Sequence, residues 1–271
     1  MITAPFDYRR AGSLAEAVTL LAEYGEDAKL LAGGHSLLPM MKLRLAFPAT
    51  LIDIRTVAEA AYLRLDEDVL AIGALTRHCD LVTSELVREH APLLARAASL
   101  VGDPQIRHRG TIGGSLAHAD PAADLPAAVL ASDAVLVALG PAGRREIPAA
   151  EFFGGYFETA LAPSEVLAEI RIPRATGQGW HYEKFVRRAN DWAIVAVATV
   201  GGRIALANMG STPLRATAAE RALAAGASPA EAAGLAAEGT EPVSDLNADA
   251  AYRRHLARVL TRRALLAAAA G

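Results

Sequence analysis

Ala28-Lys-Leu-Leu-Ala-Gly-Gly-His-Ser36 decides how the rest of the chain is read. Ala28 to Ala32 reads as a short strand that ends at Gly33-Gly34, and a helix is expected to start near Ser36. Adjacent glycines at such a junction let the backbone turn tightly with its N–H groups converging, and the missing Cβ lets a phosphate approach. Ser36 and the helix behind it would add donors at a positive helix end. Alone, a Gly-Gly here more often marks a plain strand-to-helix turn.

Gly110-Thr-Ile-Gly-Gly-Ser115 repeats the chemistry, with two adjacent glycines, a following hydroxyl and Thr111 as a further donor. Two such loops suit the two phosphates of a dinucleotide, one loop on each side. Neither matches G-x-G-x-x-G, which disfavours a Rossmann site, and no G-x-x-x-x-G-K-[ST] occurs, which excludes a P-loop. Arg107 and Arg109 stand beside the second loop and are as readily solvated residues as charge partners.

Outward from these loops, the first 175 residues alternate helices and strands. Ser13-Leu-Ala-Glu16 reads as a capping box opening a helix with Leu14, Val18 and Leu21 on one stripe. Leu51-Ile-Asp-Ile54 reads as a buried strand, and 62–65 with 69–72 as a hairpin turning at Asp66-Glu-Asp68. Helical stretches are expected at about 79–88 and 91–100, and a loop from Gly102 to Ser115. A helix near 122–131 and strands at 134–138 and 166–172 follow. Gly177-Gln-Gly179 is the candidate linker. Beyond it, 180–187, 193–200 and 203–206 suggest a three-stranded antiparallel meander, and Ala-rich helices are expected near 214–225, 228–238 and 249–268.

The 271 residues carry a net charge of −3, which gives no electrostatic reason to expect nucleic acid or an anionic membrane as partner. The N-terminus lacks the order of a secretory signal and no apolar run reaches the roughly 18 residues of a membrane span, so a cytoplasmic location is expected. One cysteine, Cys79, excludes an internal disulfide and an iron–sulfur cluster held by four thiolates of this chain. His118 and Asp120 follow the second loop without a supporting cluster, so no metal is assigned.

Ala32-Gly-Gly-His-Ser36, Gln105-Ile-Arg107 leading into Gly110-Thr-Ile-Gly-Gly-Ser115, and Lys184-Phe-Val-Arg-Arg188 resemble the FAD-binding medium subunit of the xanthine dehydrogenase and aerobic carbon monoxide dehydrogenase family, the molybdenum hydroxylases. The resemblance covers essentially the whole chain. It implies an α+β fold: a two-lobed FAD-binding domain resembling the vanillyl-alcohol oxidase superfamily over residues 1–175, its lobe boundary near 57, and a smaller domain over 176–271 with a three-stranded antiparallel sheet and a helical bundle. By resemblance, Ala32, Gly33, Gly34, His35 and Ser36 match one pyrophosphate loop, and Thr111, Ile112, Gly113, Gly114 and Ser115 the other. Val101 matches an apolar position lining the nucleotide, Asp124 an aspartate that binds a sugar hydroxyl, and Leu167 a leucine near the flavin ring. Lys184 matches a lysine at the N1/C2 edge of the flavin, where a cation stabilises the reduced anion. Trp192 stands where the carbon monoxide dehydrogenase branch has a tyrosine over one flavin face; its alternative is a core aromatic of the meander.

The implied function is electron transfer. FAD, held non-covalently, accepts electrons from 2Fe-2S clusters and passes them to an external acceptor. The clusters and a molybdopterin belong to partner chains, an iron–sulfur small subunit and a molybdopterin large subunit, in a dimer of heterotrimers. The alternatives are a self-sufficient flavin oxidase or reductase and a non-catalytic nucleotide-binding scaffold.

Overall fold

The computed structural model describes residues 2–270. Its N-terminal layer is parallel: β1 (Asp7–Arg10), β2 (Ala28–Leu31) and β3 (Thr50–Asp53) pair in the order β1-β3-β2. Parallel neighbours need crossovers, supplied here by α1 (Leu14–Tyr24) and α2 (Leu37–Lys42). Ser13 caps α1 by accepting from the Glu16 N–H, but the return contact is displaced by one residue. Glu16 Oε2 accepts from the Gly12 N–H at 2.7 Å, so the expected box closes on Gly12 rather than Ser13. Leu14, Ala17, Val18 and Leu21 of α1 are buried, packed with Ile52 below and with Val166 and Ala168 of the next sheet.

Asp53 closes this layer. Its carboxylate accepts from the Tyr8 hydroxyl, the Arg55 N–H at 2.9 Å and the Arg55 guanidinium. Burial pushes the carboxyl up, but the hydrogen bonds from Arg55 and Tyr8 outweigh it and hold the group at about 2. Asp53 pairs with Leu31, the last residue of β2, so the clamp fixes the root of the first glycine loop.

The second sheet is five-stranded and antiparallel, in the order β4-β5-β10-β6-β7. β4 (Leu63–Asp66) and β5 (Val69–Gly73) form the expected hairpin, turning through Glu67 at φ 55°. Six short helices follow: α3 (His78–Thr83), α4 (Glu85–His90), α5 (Pro92–Ser99), α6 (Pro104–Arg107), α7 (Ile112–His118) and α8 (Asp124–Ala131). The helix expected near 79–88 is split at Ser84, whose hydroxyl caps α4. The expected loop from 102 to 115 contains α6 and the first turn of α7. β6 (Val135–Gly140), β7 (Gly143–Pro148), α9 (Ala149–Phe152), a small hairpin of β8 (Phe153–Gly155) and β9 (Glu158–Thr159), and β10 (Val166–Pro173) complete the layer. β10 is buried along nearly all its length, because α1 covers one face and the main core the other. Its register against β6 shifts between Leu167 and Glu169, and the Ala168 carbonyl at that bulge accepts from the Ala74 N–H at 3.0 Å.

The third sheet holds the expected meander, β11 (Trp180–Phe185), β12 (Val195–Val200) and β13 (Arg203–Ala207), and a fourth, two-residue strand, β14 (Leu214–Arg215). Alternation is clean on both faces. Ala196, Ala198, Ala205 and Ala207 face the main core, small enough for α8 to lie close, while Val195, Val197, Ile204 and Leu206 meet the C-terminal helices. Those are α10 (Thr217–Ala224), α11 (Pro229–Gly234) and α12 (Ala250–Ala270), with α12 packed on β11 and β12.

Candidate functional site

A cavity of about 860 Å³ runs between the three sheets. One end is bordered by Asp27, Lys29, Leu45, Phe47 and Pro48, the middle by the two glycine loops, and the far end by Leu167, Lys184 and Trp192. Of the sequence-predicted residues, Ala32, Gly33, Gly34, His35, Ser36, Val101, Thr111, Gly113, Gly114, Ser115, Asp124, Leu167, Lys184 and Trp192 all border it. Ile112 does not: its side chain is fully buried in the main core. Arg107 and Arg109 stand back from the cavity, and Nη1 of Arg107 donates to the carbonyls of Val101 and Gly102.

The first loop is open for hydrogen bonding. Gly34 sits at φ 77°, where a side chain is strained, and its carbonyl accepts from the Leu38 N–H. Among the hydrogen bonds of the described residues, the N–H groups of Gly33, Gly34, His35, Ser36 and Leu37 donate to nothing in the chain. Five consecutive donors on a cavity wall form a concavity suited to an anion. The Ser36 side chain makes no capping bond to α2, so its hydroxyl is free as well.

The second loop is not a loop beyond Thr111. Thr111 caps α7 by accepting from the Gly114 N–H at 3.1 Å, and Gly113, Gly114 and Ser115 lie in the helix's first turn, none with positive φ. Its amides are occupied: Ile112 donates to Thr76, Gly113 to Ala74 at 2.8 Å, and Ser115 to Thr111. A Cβ on Gly113 would stand 2.5 Å from the Ala74 Cβ, so this glycine serves packing. Gly114 is the one that opens a cradle: a Cβ there would meet only Thr111 Oγ1 at 2.8 Å and Ala32 Cβ at 3.8 Å, the latter across the cavity on the first loop. The two walls touch behind it, where a Cβ on Gly33 would stand 2.5 Å from the Arg109 carbonyl oxygen.

At the far end Lys184 Nζ donates to Asp124 Oδ2 at 2.8 Å and to the Leu100 carbonyl at 3.2 Å, and the Tyr182 hydroxyl donates to Asp124 Oδ1 at 2.8 Å. Tyr182 and Lys184 share a face of β11, and Asp124 is the first residue of α8. Burial raises the Asp124 carboxyl, opposed by Lys184 and by the two hydrogen bonds, and raises the Tyr182 phenol well above its ordinary value. Each carboxylate oxygen already accepts one bond, so a sugar hydroxyl would have to share an oxygen with Tyr182 or Lys184. Lys184, expected by resemblance at the flavin's N1/C2 edge, is a buried cation with a fixed partner. Trp192 lies on the β11–β12 connection, 57% exposed at the cavity rim rather than in the meander core. The foot of that connection is held by buried Arg253, which donates to the Ile194 carbonyl and to Asp245.

His78 and Tyr182 were missed from the sequence. Period-two alternation from Lys184 points to Tyr182, whereas nothing local marks His78, the first residue of α3. His118 packs its ring on Phe157 at 5.1 Å between centroids, and among the described residues no three or more His, Cys, Asp or Glu side chains are grouped as metal ligands.

Residues 4–175 match the family model described as the FAD binding domain in molybdopterin dehydrogenase, and residues 180–268 that of the CO dehydrogenase flavoprotein C-terminal domain. The chain is 46% identical to the carbon monoxide dehydrogenase medium chain of Hydrogenophaga pseudoflava, over 99% of this chain and 98% of that one. It is 39% identical to the alpha subunit of the 6-hydroxypseudooxynicotine dehydrogenase complex of Paenarthrobacter nicotinovorans, over 96% and 93%. A solved structure of carbon monoxide dehydrogenase from Hydrogenophaga pseudoflava, lacking the Mo-pyranopterin moiety of its molybdenum cofactor, superposes with a TM-score of 0.96 at 48% identity, covering 100% of this chain and 99% of that one.

Proposed function

The chain belongs to the FAD-binding medium-chain family of the molybdenum hydroxylases, and we propose on that premise that FAD occupies the cavity, its pyrophosphate on the first loop and its flavin beside Lys184. It is an oxidoreductase subunit that works in a complex with an iron–sulfur subunit and a molybdopterin subunit. Held by these loops and Lys184, FAD would supply the redox group that takes electrons from the iron–sulfur partner and hands them to an external acceptor. The observation that carries the assignment is the run of five free amides, Gly33 to Leu37, on one wall of a cavity whose far end presents a buried cation.

The geometry supports a task for each residue. Amides of Gly33 to Leu37 and the Ser36 hydroxyl neutralise the diphosphate; Thr111 and Ser115 offer hydroxyls from the opposite wall, and Gly114 leaves the space between. Val101 and Leu167 give apolar surface, and Trp192 covers the rim. Lys184 holds positive charge where the reduced flavin gains negative charge, and Asp124 with Tyr182 fixes that ammonium in place. We read 1–175, with a lobe boundary near 57, as the FAD-binding domain and 176–271 as the C-terminal one, supported by the two model ranges. No helix among the described residues is long and apolar enough to cross a membrane. The cytoplasmic assignment is proposed beside this, and cell fractionation tests it.

The test is reconstitution. The purified chain should bind one FAD, released intact by acid precipitation, and should turn over no hydroxylase substrate. With an iron–sulfur and a molybdopterin subunit it should pass electrons from their substrate to a dye. FMN alone on extraction sinks the diphosphate site. Oxidation of a small organic substrate by the lone chain at about 10 s⁻¹, an ordinary enzyme rate, would establish the self-sufficient oxidase instead.

A further inference from the structure

The second wall poses a hydrogen-bonding problem that the first does not. Its amides from Ile112 to Ser115 are used inside the chain and no arginine borders the cavity, so beyond the Thr111 N–H that wall can offer an anion only side chains. Thr111 and Ser115 supply hydroxyls. Of the two histidines that border the cavity from this side, His118 packs its ring on Phe157, and His78 sits at the junction of the two loops.

His78 is pressed beneath the second loop. Its N–H donates to the Gly110 carbonyl at 3.0 Å, and a Cβ on Gly110 would stand 2.7 Å from the ring's Cδ2 and 2.8 Å from Nε2. The residue is 4% exposed, yet it borders the cavity. Nδ1 is buried without any partner. A desolvated nitrogen left unpaired is a cost that an apolar filler of the same size avoids, so packing alone does not account for an imidazole here.

The protonation state follows from the same surroundings. Burial, then the positive charge available to His35 and Arg107, pushes the imidazole down to about 4, so the ring is neutral at physiological pH. A neutral imidazole carries one N–H. Orphaned buried donors are rarer than under-used acceptors, which puts the proton on Nε2, toward Gly110 and the cavity, and leaves Nδ1 as the bare lone pair.

We propose that His78 is a cofactor-binding residue whose Nε2–H is a side-chain nitrogen donor from the second wall to the FAD pyrophosphate, a role that rests on the two-loop site proposed above. It explains why position 110 is glycine: the ring needs the space that a Cβ would fill to reach past the loop. It also lets that wall bind a dianionic group without a resident cation of its own.

The experiment compares His78→Leu and His78→Gln in the full chain, stripped of cofactor and titrated with FAD, with 31P spectra of the bound cofactor. His78→Leu should weaken FAD binding about ten- to hundred-fold, the range of one hydrogen bond to a charged group, and should move a pyrophosphate resonance. The melting temperature of the cofactor-free protein should hold or rise, since the orphan nitrogen is gone. His78→Gln, which keeps an N–H donor, should recover much of the affinity. Wild-type affinity and an unmoved resonance in His78→Leu would overturn the role, as would equal weakening in both variants with a lowered melting temperature, the mark of a filler. If FAD bound to the wild-type chain showed no phosphorus shift relative to free FAD, the two-loop site would fail and the His78 role with it. That result is distinct from a wild-type shift indifferent to His78, which overturns only the latter.

Discussion

The two glycine pairs are spelled alike and built differently. Gly33-Gly34 lies on an open turn, with Gly34 at φ 77° and the amides from 33 to 37 unengaged, on a wall whose root is tied down by the Asp53 clamp. Gly113-Gly114 lies inside the first turn of α7, its amides bonded to Ala74 and Thr111, with Gly113 pressed on Ala74. The first pair leaves its amides open to an anion, even though Gly33 also lies against the Arg109 carbonyl; the second pair has its amides engaged and is demanded largely by packing. The division even runs between neighbours: both border the cavity, but a Cβ on Gly113 would strike Ala74, whereas one on Gly114 would meet only the Thr111 hydroxyl and Ala32.

The sharpest way to break the contrast is Gly113→Val. Its Cβ position lies 2.5 Å from the Ala74 Cβ and 2.7 Å from the Ala74 oxygen, neither at the end of a flexible side chain. Overpacking of this kind should cost about 3 kcal/mol or leave no soluble protein; a wild-type melting curve would show that the second pair is not packed as described. Gly114→Val should do the reverse. Its close neighbour is the Thr111 hydroxyl, which can turn away at about 1 kcal/mol, the worth of a cap. Retained FAD per chain should fall to nearly nothing while the fold persists, and full flavin content would make Gly114 a structural glycine too.

The first wall is sharpened by Asp53→Asn. The native carboxyl sits at about 2 against an ordinary 3.8, so at pH 7 the variant should be about 2 kcal/mol less stable. Because the folded value is the lower one, this contribution is complete above about pH 4 and fades as pH falls toward 2. Denaturant titrations of both proteins should therefore converge at the acid end; a difference independent of pH would remove the ionised clamp from the account.

The smallest effect concerns the far end. Asp124→Asn removes the counter-ion of Lys184 and should raise the flavin potential by on the order of 30 mV, which for a two-electron couple is about 1.4 kcal/mol. Lys184→Met should lower it, by less than a lone cation would, since the burial that raises the Asp124 carboxyl lets it take a proton once unpaired. Spectroelectrochemical midpoints check both, and an unmoved potential in the pair would put the flavin elsewhere.

Much of this architecture was legible in the sequence where periodicity is strong. The β2 junction, the β4–β5 hairpin and the meander of β11 to β13 follow from alternation bounded by glycine or acidic turns. The start of α7 was hidden because two glycines depress helix propensity; beside the Thr111 cap, tertiary bonds from Ile112 to Thr76 and Gly113 to Ala74 hold the turn there. β14 and the β8–β9 hairpin are too short to show a period. Asp124 was legible by resemblance as a cofactor contact, but its grip on Lys184 spans 60 residues and no local pattern encodes it. Ile112 was drawn into the site by its place in the motif, while its side chain belongs to the core.

Lys184 rides on β11, and β11 is covered by α12, which runs to Ala270. A nascent chain on the ribosome that has already exposed both glycine turns still lacks the ammonium and the indole that finish the far wall. β11, which bears the ammonium, gains its covering helix only with residues 250–270, and the indole follows on the connection to β12. The far wall of the cavity thereby leans on a helix that borders none of the cavity itself.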